Sequence, residues 1–269
     1  MHTLVCVKQV PDTTEIKMDP ITNTMDRSSA PTIINPFDAH AVEEAVKIKK
    51  KFGGKVSIIS MGPPQAQEVI KKCIEMGADE GYLLSDRAFA GSDTLSTSYI
   101  LAMGVNKIME IEPIDLVFCG KQAIDGDTAQ VGPGIACRLG MPQLTYVEAI
   151  ETFDLGKKVI VLHRKIDNGY EVVQAKLPCL ITVEKDINEL SFSPLTNMIK
   201  AARYKPIAWG IKDFNADLTQ LGLKGSPTSV RRIFPPEQRA GGELLKGSED
   251  EVVKILVDKL KGGILQCQI

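Results

Sequence analysis

The sequence predicts an α/β fold: a doubly wound, mostly parallel sheet, then an added β-hairpin and an extended C-terminal arm that ends in a helix. Apolar, β-rich runs alternate four times with helix-period segments, and short loops connect them. Such alternation is typical of parallel sheets with crossover helices. After Pro142 this alternation stops, and Asn168-Gly169 separates two strand-like runs, which predicts a β-hairpin with a type I′ turn.

The alternating part of the chain contains the elements that organise the predicted sheet. Asn35-Pro36 predicts the start of the first helix, with Asn35 as its N-cap, and Gly53-Gly54 predicts its end. Residues 12–34 have the polar, proline-containing composition of a loop or hairpin. The predicted strands are residues 3–8, 55–60, 81–85 and 114–119, and the first three helices end before Gly53, Gly77 and at about Glu110.

The C-terminal part predicts fewer regular elements. Residues 179–185 read as a strand and residues 194–202 as a short helix. Residues 210–247 are rich in Gly, Pro and polar side chains, which favours a linker or arm. An amphipathic helix from about Glu249 to Leu260 ends the arm. We therefore divide the chain into an α/β domain, residues 1–209, and an arm with a docking helix, residues 210–269.

In a doubly wound sheet, ligands bind beyond the carboxyl ends of the strands, at the point where the strand order reverses. Four loops follow the predicted strands and would gather at that edge. Two of them are rich in Gly and in Ser or Thr, so a binding crevice is favoured over four unrelated surface turns. The loops are Lys8–Asp12, Met61–Pro64, Asp86–Asp93 and Gly120–Gln130.

Residues 114–138 carry the clearest chemical signal in the chain. An apolar strand ends at Gly120, a polar loop with Asp125, Gly126 and Asp127 follows, and the chain then enters a helix. A helix N-terminus supplies free N–H groups and a positive dipole end, and this arrangement predicts a cradle for a nucleotide pyrophosphate. Asp93-Thr94 repeats the pattern at another helix start. We read Asp93 and Asp127 as N-caps, in preference to Asp125 and Asp127 as a Mg²⁺ site.

Several classes of protein are excluded. Neither G-x-G-x-x-G nor G-x-x-x-x-G-K-[ST] occurs, so an ordinary NAD-binding Rossmann unit and a P-loop kinase have no support. The net charge of −2 gives no reason to expect nucleic acid as a partner. No window is apolar enough for a membrane span, and no secretory signal precedes the first strand, which predicts a cytoplasmic protein.

The cysteines and histidines point to no catalytic or metal site. No two of the six cysteines form a CxxC pair, and we expect them to be reduced and buried. The three histidines are scattered, so neither a zinc site nor a Ser-His-Asp triad is predicted.

Seven motifs along the chain match a known family. They are V-K-Q-V (7–10), N-P-F-D-A-x-A-V-E-E-A (35–45), M-G-P-P-Q-A (61–66), M-G-A-D (76–79), G-K-Q-A-I-D-G-D-T-A-Q-V-G-P (120–133), L-P-C-L-I-T-V (177–183) and L-T-N-M-I-K-A (195–201). In these motifs the chain resembles the β (small) subunit of electron-transferring flavoproteins. The resemblance runs in family order over about residues 1–205, and the arm sequence S-V-R-R-I-F-P-P fits bacterial members as well.

The resemblance implies a heterodimer with a larger α subunit that carries FAD, and the arm would dock on that subunit. We assign no catalytic side chain and no metal site to this chain. The resemblance also implies that Leu195 docks on an acyl-CoA dehydrogenase-type flavoenzyme, although an ordinary helix-start residue is the simpler reading of the residue alone. The implied cofactor-binding residues are Cys6, Asn35, Pro36, Phe37, Asp38, Met61, Gly62, Asp93, Thr94, Thr97, Gly120, Asp125, Gly126, Asp127, Thr128, Ala129, Gln130, Val131, Gly132, Pro133 and Gly134.

Two loops favour the flavin-bifurcating, NADH-oxidising branch of the family. AMP-binding members typically have a more acidic loop, with Asp-Asp and then Cys-Asn-Gln, where this chain has residues 126–130, G-D-T-A-Q. Residues 89–98 offer small and hydroxyl side chains. This pattern implies FAD rather than AMP in the crevice, NADH as hydride donor, and ferredoxin or flavodoxin as a further acceptor. The alternatives are a non-bifurcating subunit with structural AMP and a nucleotide sensor of the same fold.

Overall fold

The computed structural model describes residues 1–12, 31–229 and 242–266. The predictions for residues 13–30 and 230–241, and for Cys267, lie outside this range. The strands are β1 His2–Val7, β2 Gln9–Pro11, β3 Thr32–Ile34, β4 Lys55–Met61, β5 Glu80–Leu84, β6 Leu116–Gly120, β7 Gln143–Asp154, β8 Val159–Ile166, β9 Gly169–Lys176, β10 Cys179–Val183 and β11 Ile207–Trp209. The helices are α1 Pro36–Phe52, α2 Gln67–Met76, α3 Thr94–Ile111, α4 Val131–Leu139, α5 Leu195–Arg203 and α6 Glu249–Gln266.

The main sheet has nine strands in the order β11-β5-β4-β1-β6-β10-β7-β8-β9. All neighbours from β11 to β7 pair in parallel, whereas β7, β8 and β9 pair antiparallel. The chain adds β4 and β5 on one side of β1 and then crosses to place β6 on the other side. The strand order therefore reverses beside β1, and the predicted doubly wound fold with an added hairpin is confirmed.

Helices cover both faces of the parallel strands, which bury alternate side chains on opposite sides. Val5 and Phe118 pack in the core cluster that contains the inner faces of α1 and α2. Leu4 and Val117 pack in the cluster that contains α3 and α4. Because a strand covered on both faces reads as one continuous apolar run, these strands are visible in the sequence.

The hairpin and the edge strands show where sequence patterns were insufficient. The turn between β8 and β9 consists of Asp167 and Asn168, and neither has a positive φ, so the type I′ prediction is wrong. Gly169 instead has φ +142° and begins β9. Strands β7 and β11 were not predicted, since they are half-exposed or only three residues long. For residues 12–34 the composition indicated a loop or hairpin but did not locate the short antiparallel pair β2–β3.

The first compact unit extends from Met1 to Arg232, and the second spans Ile233–Ile269. The division into an α/β domain, residues 1–209, and an arm, residues 210–269, stays a prediction. Residues after β11 remain with the α/β unit because Leu221, with Ile211 and Phe214, packs in the same core cluster as α3. In the second unit, α6 continues to Gln266, beyond the predicted end at Leu260.

Two further expectations can be compared with the described residues. Cys6, Cys73, Cys119 and Cys179 are buried and unpaired, but Cys137 is exposed, since it lies on the outer face of α4. No helix in the described ranges has both the length and the apolar character needed to span a membrane.

Candidate functional site

The carboxyl ends of β1, β4, β5 and β6 meet at one edge of the sheet because these strands are parallel. The loops that follow them therefore surround the reversal in strand order beside β1. This is the edge at which doubly wound folds bind ligands. It is the candidate site.

Asp38 in α1 joins the ends of the two central strands. Its carboxylate accepts hydrogen bonds from the backbone N–H groups of Lys8, at 2.7 Å, and of Gly120, at 3.1 Å. A Cβ on Gly120 would lie 2.3 Å from Asp38 Oδ1, so only glycine fits between the strand and the helix. Burial raises the pKa of Asp38 to about 7, although these hydrogen bonds oppose the shift.

Asn35 precedes α1, but its side chain does not cap the helix as predicted. Its Nδ2 donates to the carbonyl of Gln122 at 2.8 Å, and its Oδ1 accepts from the N–H of Ile124 at 3.2 Å. The amide thus holds the loop after β6 against the start of α1. The cap is absent because both polar ends of the side chain are already used.

The aspartates of the loop bind neighbouring side chains. Asp125 forms an ion pair with Lys8, whose Nζ lies 2.7 Å from both carboxylate oxygens. Asp127 accepts from Gln122 Nε2 at 2.8 Å and does not cap a helix, because α4 begins only at Val131. Among the described residues, no group of three or more His, Cys, Asp or Glu side chains is arranged for a metal ion.

The backbone of the loop alternates between left- and right-handed conformations. Asp127 and Ala129 have φ values of +49° and +53°, in the left-handed region, and Gln130 returns to the right-handed region. Such alternation is typical of phosphate-binding nests. Within the described chain, the N–H groups of residues 128–132 have no hydrogen-bond acceptor. We call residues 128–132 the nest.

The start of α4 itself adds to the nest. No side chain caps this helix, Pro133 has no N–H, and the first helical bond is donated by Gly134 to the carbonyl of Gln130 at 2.9 Å. The positive end of the helix dipole therefore coincides with free N–H groups. An anionic oxygen is the ligand that this geometry can bind.

The start of α3 differs because Asp93 caps it, as predicted. Its Oδ1 accepts from the N–H groups of Leu95 and Ser96 at 3.0 and 3.1 Å. Its Oδ2 accepts from the N–H and hydroxyl of Thr228 at 3.1 and 2.8 Å. These hydrogen bonds outweigh the opposing effect of burial and lower the pKa of Asp93. The carboxylate thus fixes α3 and holds residue 228.

Thr94 connects the two helix starts, since its hydroxyl donates to Gln130 Oε1 at 2.8 Å. Thr97 is half-buried one turn later in α3. The structure therefore brings the predicted residues of α3 next to those of the nest. Any direct contact of Asp93, Thr94 or Thr97 with a cofactor stays a prediction.

The glycines of the motif have different surroundings. A Cβ on Gly126 would meet no atom within 4 Å, so space is open beside the loop. A Cβ on Gly132 would lie 2.6 Å from Thr182 Cγ2, and one on Gly134 would lie 2.8 Å from Ser98. Gly132 and Gly134 therefore allow α4 to pack closely on β10 and α3. A Cβ on Gly62 would lie 2.9 Å from Ala66 Cβ.

The floor of the site is apolar and contains Cys6 and Met61. Cys6 pairs in register with Cys119 on the adjacent strand, and both side chains are buried. The hydrogen bond with the Cys6 thiol, together with burial, raises the pKa of Cys119 well above its ordinary value. Met61 packs against the same cluster at the end of β4. A buried thiol with this shift is not a nucleophile.

The remaining predicted positions lie along the two helix starts or on a separate surface. Pro36 and Phe37 begin α1, with Lys185 Nζ 4.7 Å from the Phe37 ring, and Val131 begins α4. Leu195 begins α5 and is 70% exposed. Its apolar neighbours Leu190, Phe192, Met198 and Ile199 are exposed as well. We call these five residues the Leu195 surface.

Sequence reasoning did not assign Lys8 and Gln122, although both lie in quoted motifs. Lys8 is 117 residues away in sequence from its partner Asp125, a separation that local patterns do not reveal, whereas Gln122 contacts Asp127 within the same loop. The available signal was chemical: a lysine directly after β1 and two aspartates after β6 belong to neighbouring strand ends.

Comparison with known proteins agrees with this fold. The family model described as "Electron transfer flavoprotein domain" matches residues 22–208. "Protein FixA" from Azotobacter vinelandii is 48% identical over 259 residues, covering 96% of this chain and 92% of that protein. "Caffeyl-CoA reductase-Etf complex subunit CarD" from Acetobacterium woodii is 49% identical over 263 residues, covering 97% and 98% of the two chains.

A third relative has a name that specifies the subunit. "Electron transfer flavoprotein subunit beta" from Megasphaera elsdenii is 48% identical over 264 residues, which covers 97% of this chain and 96% of that protein. The family model covers more than half of the chain, and these identities extend over nearly all of it. The chain therefore belongs to the electron-transfer flavoprotein family, as a member of the β-subunit type.

Proposed function

We propose that this chain is the small subunit of a flavin-bifurcating electron-transfer flavoprotein and that its crevice binds FAD. The observation that carries the proposal is the nest, in which five successive N–H groups, residues 128–132, have no acceptor in the described structure. A pyrophosphate has several anionic oxygens that these groups and the α4 dipole would stabilise.

The choice of FAD over AMP is supported by the space beside the nest. Gly126 is exposed, and a Cβ there would meet no neighbouring atom. Small and hydroxyl side chains of residues 92–98 line the start of α3, which contacts the nest through Thr94. A dinucleotide extends beyond its phosphates and needs such room, whereas AMP ends at its single phosphate.

The protein's part in the reaction is to bind and orient the cofactor. The chemistry that a bound flavin supplies is acceptance of a hydride from NADH and release of two single electrons, one to ferredoxin or flavodoxin and one to the α-subunit FAD. The nest would hold the pyrophosphate, Asn35 would keep the loop after β6 in place, and Asp38 would keep the ends of β1 and β6 together. No side chain is assigned as an acid or base.

The proposed partners are the α subunit and an acyl-CoA dehydrogenase-type flavoenzyme. The Leu195 surface supports the second partner, because five exposed apolar side chains around one helix start form a typical docking patch. The name of CarD places that relative in a caffeyl-CoA reductase–Etf complex. The exposed apolar side chains of α6, among them Val253, Leu256 and Leu260, support docking of the arm on the α subunit.

Counting the cofactors of the purified αβ complex tests the proposal. The complex is denatured, flavin is quantified by its absorbance, and released nucleotides are separated by chromatography. We expect two FAD and no AMP per complex. One FAD and one AMP would contradict bifurcation and support the alternative, a non-bifurcating subunit in which the same nest holds a single phosphate.

A further inference from the structure

A cavity of about 640 Å³ lies between α2 and α5, beside β5 and β11. Its lining includes Pro64 and Ser85, which follow the carboxyl ends of β4 and β5. Its floor contains apolar side chains, including Leu83, Tyr204 and Ala208. The Tyr204 hydroxyl accepts a hydrogen bond from the N–H of Gly81 at 2.6 Å, which fixes the ring in the lining of the cavity. We call this the basic cavity.

Three cationic side chains line the basic cavity: Lys71, Arg203 and Lys205. None of its lining residues is acidic. Lys71 is balanced by Glu68 at 2.8 Å, but Arg203 and Lys205 have no carboxylate partner in the part of the chain that the structure describes. Two exposed, unbalanced cations above an apolar floor therefore favour an acidic protein surface as the occupant.

The basic cavity lies close to the proposed nucleotide crevice. Pro64 lines the cavity, and Met61 ends β4 in the apolar floor of the crevice. Three peptide units separate these residues, so their Cα atoms are at most about 11 Å apart. A protein docked over the cavity would therefore lie beside the cofactor.

The basic cavity is also distinct from the Leu195 surface. Leu195 is the first residue of α5 and Arg203 is the last. Eight residues along a helix correspond to about 12 Å. The two ends of α5 thus present different chemistry, apolar at the first and cationic at the second.

We propose that the basic cavity docks an acidic, low-potential electron-carrier protein, with carboxylates of the partner placed against Arg203 and Lys205. The proposal rests on the proposed function, because the crevice must hold a flavin for the carrier to be reduced. A flavin held in the crevice would supply one electron, and one oxidised iron–sulfur cluster of the carrier would gain it. No covalent bond forms or breaks.

The test uses the complete αβ complex and a fluorescently labelled bacterial two-cluster ferredoxin. Binding is measured by anisotropy at about 0.02 M and about 0.3 M ionic strength. We expect Arg203→Glu/Lys205→Glu to weaken binding about tenfold or more at low ionic strength, and less at high ionic strength. The matched control is Lys47→Glu/Lys50→Glu, which makes the same charge change on the exposed face of α1.

An unchanged ferredoxin affinity in the cavity variant would overturn the proposal, and so would an equal loss in the α1 control. Citrate serves as a small polyanionic competitor. If citrate at low millimolar concentration displaces ferredoxin equally from the wild type, the cavity variant and the α1 control, ferredoxin binding is nonspecific and the proposal fails. Leu195→Ala should leave ferredoxin affinity unchanged; a tenfold loss there would assign the carrier to the Leu195 surface instead.

Folding and cofactor content are measured for every variant. If the charge reversal unfolds the subunit, Arg203→Gln/Lys205→Gln replaces it, with an expected loss of about threefold or more. The two proposals fail separately. If the crevice contains AMP, bifurcation is contradicted, but the ferredoxin affinity of the cavity variant still tests docking at the basic cavity. If the complex contains two FAD and the cavity variant binds ferredoxin as the wild type does, only the docking proposal is contradicted.

Discussion

The starts of α3 and α4 look alike in the sequence and differ in the structure. Each follows a strand and a glycine-containing loop, and each has an Asp-Thr pair near its N-terminus. At α3 the carboxylate of Asp93 accepts from two N–H groups of the first turn. At α4 no side chain does so, and the N–H groups of residues 128–132 have no acceptor in the described chain.

The difference teaches that a helix start binds an external anion only when its own sequence leaves the donors free. Asp93 makes α3 stable without a ligand. The nest leaves α4 uncapped and places Ala129 at φ +53°, an unfavourable conformation for alanine. A bound phosphate would satisfy the free donors and offset this cost.

Filling the space beside the nest should have the largest effect. Gly126→Trp places a large ring where a Cβ meets no atom, so we expect the fold to tolerate the change. The ring would occupy the space that the nucleotide needs beside the nest. We expect the β-site nucleotide to be lost, with affinity reduced more than about 100-fold, and the α-subunit FAD to remain. Gly126→Ala is the control and should bind normally. Retention of both cofactors by the Trp variant would show that the loop does not line the site.

Asp38, which holds the ends of β1 and β6 together, should make the stability of the fold depend on pH. The pKa of Asp38 is about 7 in the folded protein and about 3.8 when unfolded, so the folded state binds more protons between these values. The contribution of Asp38 to stability is therefore largest at low pH and falls as pH rises from about 4 through 7, by on the order of 2–4 kcal/mol. Asp38→Asn should flatten this part of the profile in urea unfolding. A variant profile as steep as the wild type would assign the titration elsewhere.

Adding a carboxylate at the start of α4 would make it resemble α3. Gln130→Asp places negative charge beside the nest and should weaken nucleotide affinity about tenfold. Gln130→Asn, which is the same size as the Asp variant and neutral, is the control. Isothermal titration of the nucleotide-free αβ complex measures both, and equal affinities would mean that the phosphates bind away from α4.

Removing the cap of α3 should have the smallest effect on binding and a measurable one on stability. Asp93→Ala deletes a cap that also holds Thr228, and it should cost about 1–2 kcal/mol. This corresponds to a lower Tm by about 2–8 °C, measured by differential scanning calorimetry. Nucleotide affinity should change less than about threefold. A loss of binding as large as that of Gln130→Asp would mean that α3 contributes to the anion site after all.

Much of the fold could be predicted from the sequence because the central strands are buried on both faces. Continuous apolar runs such as 114–119 and glycine stops such as Gly53 and Gly77 act locally. Strands β7 and β11 could not be predicted in the same way, because their pairing partners decide their structure. The turn at Asp167-Asn168 was misassigned by one residue, which changes the turn type.

The position of the candidate loops at the sheet edge could be predicted, whereas most of their contacts could not; cofactor binding by these residues stays a prediction. The loops at the sheet edge followed from topology, and the Asp93 cap followed from its residue type. The role of Asn35 depends on Gln122 and that of Asp38 on Gly120, and these two contacts join distant parts of the chain. Asp127 instead contacts Gln122 within the same loop. The free donors of the nest follow from backbone angles that residue types did not indicate.

Amide hydrogen exchange tests the central claim most directly. The αβ complex is compared after removal of the β-site nucleotide and after its restoration, with FAD and with AMP in separate samples. Exchange in the peptides that cover residues 128–132 should slow by about tenfold or more on binding, since an acceptor then occupies these N–H groups. The N–H groups of Leu95 and Ser96, already bonded to Asp93, should exchange equally in both states. Protection at the start of α3 with no change in the nest would contradict the account.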